Sequence, residues 1–428
     1  MLLGSQDFLA SLPSQGDLVE IKVGPWRMHV VCHPDLAHHV LTADRIFDKG
    51  GPMFNRTRKL IGDGLASCLH DQHRRQRRLV QPAFHRTRMP RYARAMTEHI
   101  AAVTGSWRDG QLMDLGPEMT KISTGVLAKT IFTADFCGPA IAAVPAYSEM
   151  IQRGLTRRLL TPAMLQRLPT RGKRRFERVT RELESAVSAM AERYRHDGVD
   201  RGDLMSILLA SRDEDGSGLT DAEIYAEIVT MILAGTETVA YTLSHAFRLL
   251  QQHPEIEARL HTEVDEVLGG RPASWDDLPS LDLAGRVFKE TLRLAPSDWI
   301  VTRVVTEDTE LAGCALPAGS IVAFCGLVIH QRADLYPQPA SFLPDRWLDQ
   351  QLKPPSGAFI PFGEGGRKCI GDVFGTVEGI LALSTIAARW RFERTEPGRT
   401  RSALRIPGFT KSAVTRVVAR HGSHAPPN

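Results

Sequence analysis

A chain of 428 residues with 43% hydrophobic and 24% charged residues can bury a large core, which excludes a disordered or fibrous sequence. A formal net charge of +4 is small for this length and gives no reason to expect a nucleic-acid partner. Six scattered cysteines without a C-x-x-C pair fit a reducing compartment better than a disulfide framework or a zinc site. The first residues, Met1 to Asp7, carry neither a basic run nor a long apolar one, so no signal peptide or membrane anchor is expected and the protein should be cytoplasmic. We expect a single domain over 1–428, with 1–15 and 421–428 as poorly ordered tails.

From Gly16 to Val31 the sequence alternates (Leu18, Ile21, Val23, then Met28, Val30) around Gly24-Pro25, which predicts a β-hairpin. Pro34 and Asp35 open a short helix through Leu41. Residues 49 to 69, Gly-rich and polar with isolated Leu60, Ile61, Leu65 and Leu69, read as a loop. His73-Arg74-Arg75-Gln76-Arg77-Arg78 is a basic helix. His73 and Arg77 are four apart and share one side, where two donors can clamp a buried carboxylate. Arg74, Arg75 and Arg78 point elsewhere and can face an acidic partner protein, or only water. Residues 85 to 210 read as helices throughout, and Phe176, Val179, Leu183, Val187 and Met190 make one apolar stripe. Leu155 to Gly172, arginines mixed with leucines, fits a lid over an apolar pocket or a plain connection.

Asp213 to Gly218 briefly resembles a calcium loop, but Ile224 stands where the twelfth-position Glu is required, so an exposed turn is expected. Thr220 and Glu223 then form a capping box for a long helix to about Gln252. In its middle stands Ala234-Gly235-Thr236-Glu237-Thr238 among apolar neighbours. Glycine and threonines there lower helix propensity and compete for backbone carbonyls, which predicts a local break. A hydroxyl and a carboxylate at such a break can deliver protons to a bound group. Pro254 opens another amphipathic helix. Glu290 and Arg293, at i and i+3, would pair, with Arg346 as a further partner. Short strands follow from Trp299 to Phe324, and a terminal hairpin is expected over Phe409 to Val418.

The sharpest chemical signal is Phe362-Gly363-Glu364-Gly365-Gly366-Arg367-Lys368-Cys369-Ile370-Gly371. Three glycines ahead of one cysteine, with a helix-compatible run behind it, present a sulfur to backbone N–H groups and a positive helix end. Those donors, with Arg367 nearby, favour a thiolate, and an axial thiolate on haem iron promotes O–O cleavage.

This string resembles the haem-binding loop of cytochromes P450, with each fixed position of Phe-x-x-Gly-x-Arg-x-Cys-x-Gly occupied. Ala234-Gly-x-Glu-Thr238, Glu290-x-x-Arg293 and the Phe342/Pro344/Arg346 segment precede it in the family's order. The resemblance implies a mainly α P450 fold, a helical prism with small β-sheets around one haem b. It implies Cys369 as the iron ligand, and His73, Arg77, Arg303 and Arg367 at the haem propionates, with Phe362 in the loop. Glu290, Arg293 and Arg346 would be the buried triad, and Thr238 with Glu237 the oxygen-activating pair. Family register places Leu60, Leu65, Leu233, Ala234, Trp299 and Val301 in an apolar substrate pocket. The implied function is monooxygenation by O2 of an apolar small molecule, and the chain is similar to soluble bacterial P450s of terpenoid biosynthesis. Oxidation of a fatty acid or polyketide, or a non-catalytic haem-thiolate sensor, are the alternatives. Electrons from NAD(P)H would arrive through a separate ferredoxin and ferredoxin reductase, to a monomer.

Overall fold

The computed structural model describes residues 6–23, 26–131, 170–297, 300–348, 354–395 and 414–420. The helices are α1 (Gln6–Ser11), α2 (Pro34–Thr42), α3 (Gly51–Ile61), α4 (His70–Val80), α5 (Met89–Gly105), α6 (Leu115–Ile131), α7 (Arg171–Asp197), α8 (Leu204–Ala210), α9 (Asp221–Leu250), α10 (Pro254–Leu268), α11 (Asp282–Leu294), α12 (Gly326–His330) and α13 (Asp372–Arg389). The strands are β1 (Leu18–Val23), β2 (Trp26–Val31), β3 (Phe47–Asp48), β4 (Leu112–Asp114), β5 (Val301–Val305), β6 (Thr309–Leu311), β7 (Cys314–Leu316), β8 (Ile321–Phe324), β9 (Trp390–Arg394) and β10 (Val414–Ala419).

Helix α9 is the axis. Its capping box forms as expected: the Thr220 amide donates to Glu223 and the Glu223 amide to the Thr220 hydroxyl. It is buried on nearly every side (Ile224, Ile228, Ile232, Val239, Leu243, Phe247), because α6, α11 and α13 pack around it. Helix α13 crosses α11 so closely that a Cβ on Gly379 would lie 2.2 Å from the Phe288 ring. The five-stranded sheet runs β1-β2-β8-β5-β3, with β2 and β8 parallel and the other pairs antiparallel. It flanks the helical core on one side of the site.

Three readings change. Residues 51–61 are helical rather than loop, since Pro52 suits the first turn and Gly50 is required by contact: a Cβ there would lie 2.2 Å from Val304 Cγ1. Gln6–Ser14 is helical rather than a loose tail, because Leu9 and Leu12 are buried. The stretch 85–210 is not all helix, since β4 interrupts it. Val414–Ala419 is a strand that pairs with β9 and β4. Leu155 to Pro169 and Phe409 to Ala413 lie outside the described residues, so the lid and the first half of the expected hairpin do too.

Candidate active site

The Cys369 loop is held in place by its glycines. Gly363 and Gly365 have φ of +66° and +68°, which side-chain-bearing residues rarely adopt. A Cβ on Gly365 would also lie 2.4 Å from the Leu41 carbonyl, so the loop seats directly on α2. Glu364 fastens it further, accepting the Gly357 amide at 2.9 Å and pairing with His38 Nδ1 at 2.8 Å. The Cys369 amide donates to the Phe362 carbonyl at 2.8 Å, closing the turn three residues before α13 begins. The cation beside Cys369 is Arg77, which donates to the Lys368 carbonyl; the Arg367 guanidinium turns away to Asp48 and the Cys68 carbonyl.

Cys369 opens onto a cavity of about 440 Å³. Its far wall is α9, through Met231, Ala234, Gly235 and Thr238, and Phe54, Leu65, Leu127, Ile300 and Val301 complete the apolar part. His73, Arg77, Arg303 and Arg367 all line it, as does Phe362. Arg303 is 3% exposed, and among the described residues it donates to the neighbouring Thr302 carbonyl. Among the described residues its Nε has no hydrogen-bond partner, and the Arg367 Nε lies 3.9 Å from the Asp44 carboxylate. Burial and the adjacent Arg367 push the Arg303 guanidinium down to about 10. Burial, then Arg367, Lys49 and Arg77, lower His73 to about 3, so its ring is neutral. The rim therefore carries Lys49, Arg77, Arg303 and Arg367 against Asp44 and Asp48, a surplus of positive charge.

Helix α9 runs unbroken through Thr238, contrary to the predicted local break. The Thr238 hydroxyl donates to the Ala234 carbonyl at 2.7 Å, which satisfies the side chain without opening the helix. Thr236 is fully buried on the other face, with no hydrogen-bond partner for its hydroxyl among the described residues. Glu237 is partly buried and does not line the cavity. Of the expected pocket residues, Leu65, Ala234 and Val301 line it, whereas Leu233 packs against the α7–α8 apolar cluster. The Leu60 side chain and Trp299 lie outside what is described.

Glu290, Arg293 and Arg346 do come together. Glu290 accepts from Arg293 Nη2 at 2.8 Å and Nε at 2.9 Å, from Arg346 Nε at 2.9 Å, and from the Leu343 amide at 3.1 Å. Trp347 Nε1 adds a fifth bond at 3.0 Å that residue spacing did not reveal. Arg293 Nη1 donates to the His330 and Pro339 carbonyls, binding α11 to the segment ahead of the loop. The basic face of α4, by contrast, is partly spent inside the chain. Arg75 bonds Asp213, Glu223 and the Gly218 carbonyl, and Arg78 bonds Glu214, so Arg74 alone of the three has no ion pair among the described residues.

His330 is a second positioning residue absent from the sequence reading. Its Nδ1 faces the Arg293 carbonyl at 3.2 Å and its Nε2 accepts the Ile360 amide at 3.0 Å, so the ring carries its proton on Nδ1. Burial lowers it to about 3. An unfolded histidine gains a proton below about 6.5, and the folded one does not until far lower. The unfolded state therefore binds more protons between about 3 and 6.5, and stability falls as pH falls through that window. A melting temperature that drops on acidification below pH 6.5, with a shallower drop in His330→Gln, is the expected result; equal slopes refute it.

A family model for cytochrome P450 matches residues 7–414. The pentalenene oxygenase of Streptomyces avermitilis is 44% identical over 385 residues, covering 90% of this chain and 86% of that protein. The cyclooctat-9-en-7-ol 5-monooxygenase and the cyclooctatin synthase of Streptomyces melanosporofaciens are 41% and 42% identical, covering 92% and 91% of this chain and 86% of each. The crystal structure of the cytochrome P450DA heme domain superposes with a TM-score of 0.84, covering 97% of this chain and 92% of that one at 24% identity, a likeness of fold.

Proposed function

The chain belongs to the cytochrome P450 family, and from that premise we propose that this haem-dependent monooxygenase oxidises a cyclic terpene hydrocarbon. The observation that carries the substrate class is the apolar far wall, built from Phe54, Leu65, Leu127, Met231, Ala234, Ile300 and Val301. A charged substrate group would find no partner among these side chains, while a hydrocarbon loses nothing on leaving water. The names of the Streptomyces relatives support the same class. No described helix is long and apolar enough to cross a membrane.

The residues present fit haem. The surplus of positive charge, and the buried Arg303 Nε that has no hydrogen-bond partner among the described residues, suit a group with two carboxylates, and Cys369 faces the same cavity. In this reading Cys369 holds the iron, and Arg77, Arg303, Arg367 and neutral His73 hold the propionates. Bound haem supplies the iron centre at which O2 is activated with electrons from NAD(P)H. The apolar wall excludes water and orients the substrate. The Thr238 hydroxyl, anchored on the Ala234 carbonyl, holds a proton donor at the cavity wall, and Glu237 relays protons to it from solvent. The electrons come through a ferredoxin and its reductase to a cytoplasmic monomer.

Two measurements test this. Pentalenene and related hydrocarbons should shift the Soret band of the holoprotein, and long-chain fatty acids should not; the reverse pattern overturns the substrate class. Thr238→Ala, reconstituted with ferredoxin and reductase, should keep NAD(P)H consumption but lower product on the order of a hundredfold, with hydrogen peroxide in its place. Thr236→Ala, buried on the opposite face, should change the ratio of product to NAD(P)H far less. Equal coupling in wild type and Thr238→Ala removes this hydroxyl from the proton path.

A further inference from the structure

Between α3 and α4 the chain crosses α9 in a short segment, residues 62–69, which contributes Leu65 and Ala66 to the cavity wall. The crossing leaves no space for side chains. A Cβ on Gly64 would lie 2.4 Å from Thr230 Oγ1 and 2.6 Å from the Ala226 carbonyl, and one on Gly62 would lie 2.9 Å from Ala226 Cβ. Into this contact α9 projects Glu227, which is 0% exposed. Its Oε1 accepts the Leu65 amide at 3.0 Å, while Oε2 has no hydrogen-bond partner among the described residues.

Neighbouring parts of the segment are held elsewhere. The Asp63 carbonyl accepts from Gln76, the Ala66 carbonyl from Lys49, and the Cys68 carbonyl from Arg367. The Leu65 amide is held from α9. Burying a carboxyl beside apolar residues is costly, and burial raises this one to about 8, so it is kept neutral here. A leucine would fill the same space without that cost. What the acid supplies, and leucine cannot, is an acceptor for the amide of a residue whose side chain faces the cavity.

We propose that Glu227 is a positioning residue that fixes Leu65 in the cavity wall and thereby sets which bulky ligands the cavity accepts. The inference rests on the reading that this cavity receives the substrate. It does not depend on which substrate that is.

The test uses the holoprotein and two azole probes that differ in reach, imidazole and 4-phenylimidazole, titrated spectrally. Glu227→Leu should weaken 4-phenylimidazole about tenfold, the scale of one buried hydrogen bond, and leave imidazole unchanged. Glu227→Gln, which keeps an acceptor at the same reach, should restore wild-type affinity. Leu65→Ala should reproduce the loss, and adding Glu227→Leu to it should change nothing more, since the acid acts through Leu65. If Glu227→Leu yields no holoprotein, Glu227→Asp, one methylene short of the amide, should show the same selective loss. Equal losses for both azoles, full additivity with Leu65→Ala, or unchanged affinities overturn the proposal. Failure of pentalenene to shift the Soret band would refute the substrate class and leave this test standing.

Discussion

Cys369→Ala is expected to abolish the red-shifted Soret band of the reduced carbon-monoxide complex and to reduce product formation below detection. The turn positions one sulfur at the cavity, and no other described cysteine lines it. Among the cysteines of the described residues, Cys32, Cys68 and Cys325 are buried, and burial raises their thiols to about 12, 11 and 11, so they stay protonated and inert. Cys369 alone opens onto the cavity beside Arg77. Because the turn closes through the Cys369 amide and the Phe362 carbonyl, both main chain, the variant should keep its fold. Far-ultraviolet circular dichroism matching wild type, together with loss of the band, is the paired readout. A surviving band in the folded variant would mean that another residue holds the iron.

Glu290→Ala is expected to prevent accumulation of folded holoprotein at 37 °C. The carboxylate receives five hydrogen bonds, from two arginines, an indole and an amide. Its removal leaves Arg293, which is fully buried, as an uncompensated charge. Breaking a buried pair in this way costs about 3–5 kcal/mol, against a total stability of about 5–15 kcal/mol for a typical protein. The loss also frees the segment containing Pro339, Ser341 and Leu343, which Arg293 and Glu290 tie to α11. Arg346→Ala should cost less, because Arg293 still neutralises Glu290. Chemical denaturation of both variants beside wild type decides it: equal midpoints for Glu290→Ala and wild type would show that the network contributes nothing to stability.

What could be read from the chain, and what could not, divides by the range of the interactions. The Cys369 turn and the Glu290–Arg293 pair were legible because their chemistry is local, a run of glycines before a cysteine and an i, i+3 spacing. His73 and Arg77 were legible as a pair from their spacing, while Arg303 and Arg367 followed from resemblance; the four meet at one rim only because α4, β5 and the loop converge. Arg75 looked available to a partner because its acids, Asp213 and Glu223, are far along the chain. Helix α3 was hidden by Gly50, Gly51 and Pro52, and the need for Gly50 arises from Val304 in another element. Glu227 and His330 gave no signal at all, since one acid or imidazole in a helix reads as surface until its partners, Leu65 and Ile360, are in place.

The small sheet at the far end of the core has a consequence for how the protein is made. Strand β10 lies between β9 and β4, with Val414 opposite Asp114, a separation of 300 positions along the chain. At about 5–20 residues added per second, β4 waits roughly 15 to 60 seconds on the ribosome before its partner exists. During that interval its edge is unpaired, next to the Trp107 side chain that will later stack on Trp390 and Phe392. The last of the described strands is thus the one that seals the end of the helical core. Closure of that end therefore comes late, after the helical core between β4 and β9 has been made.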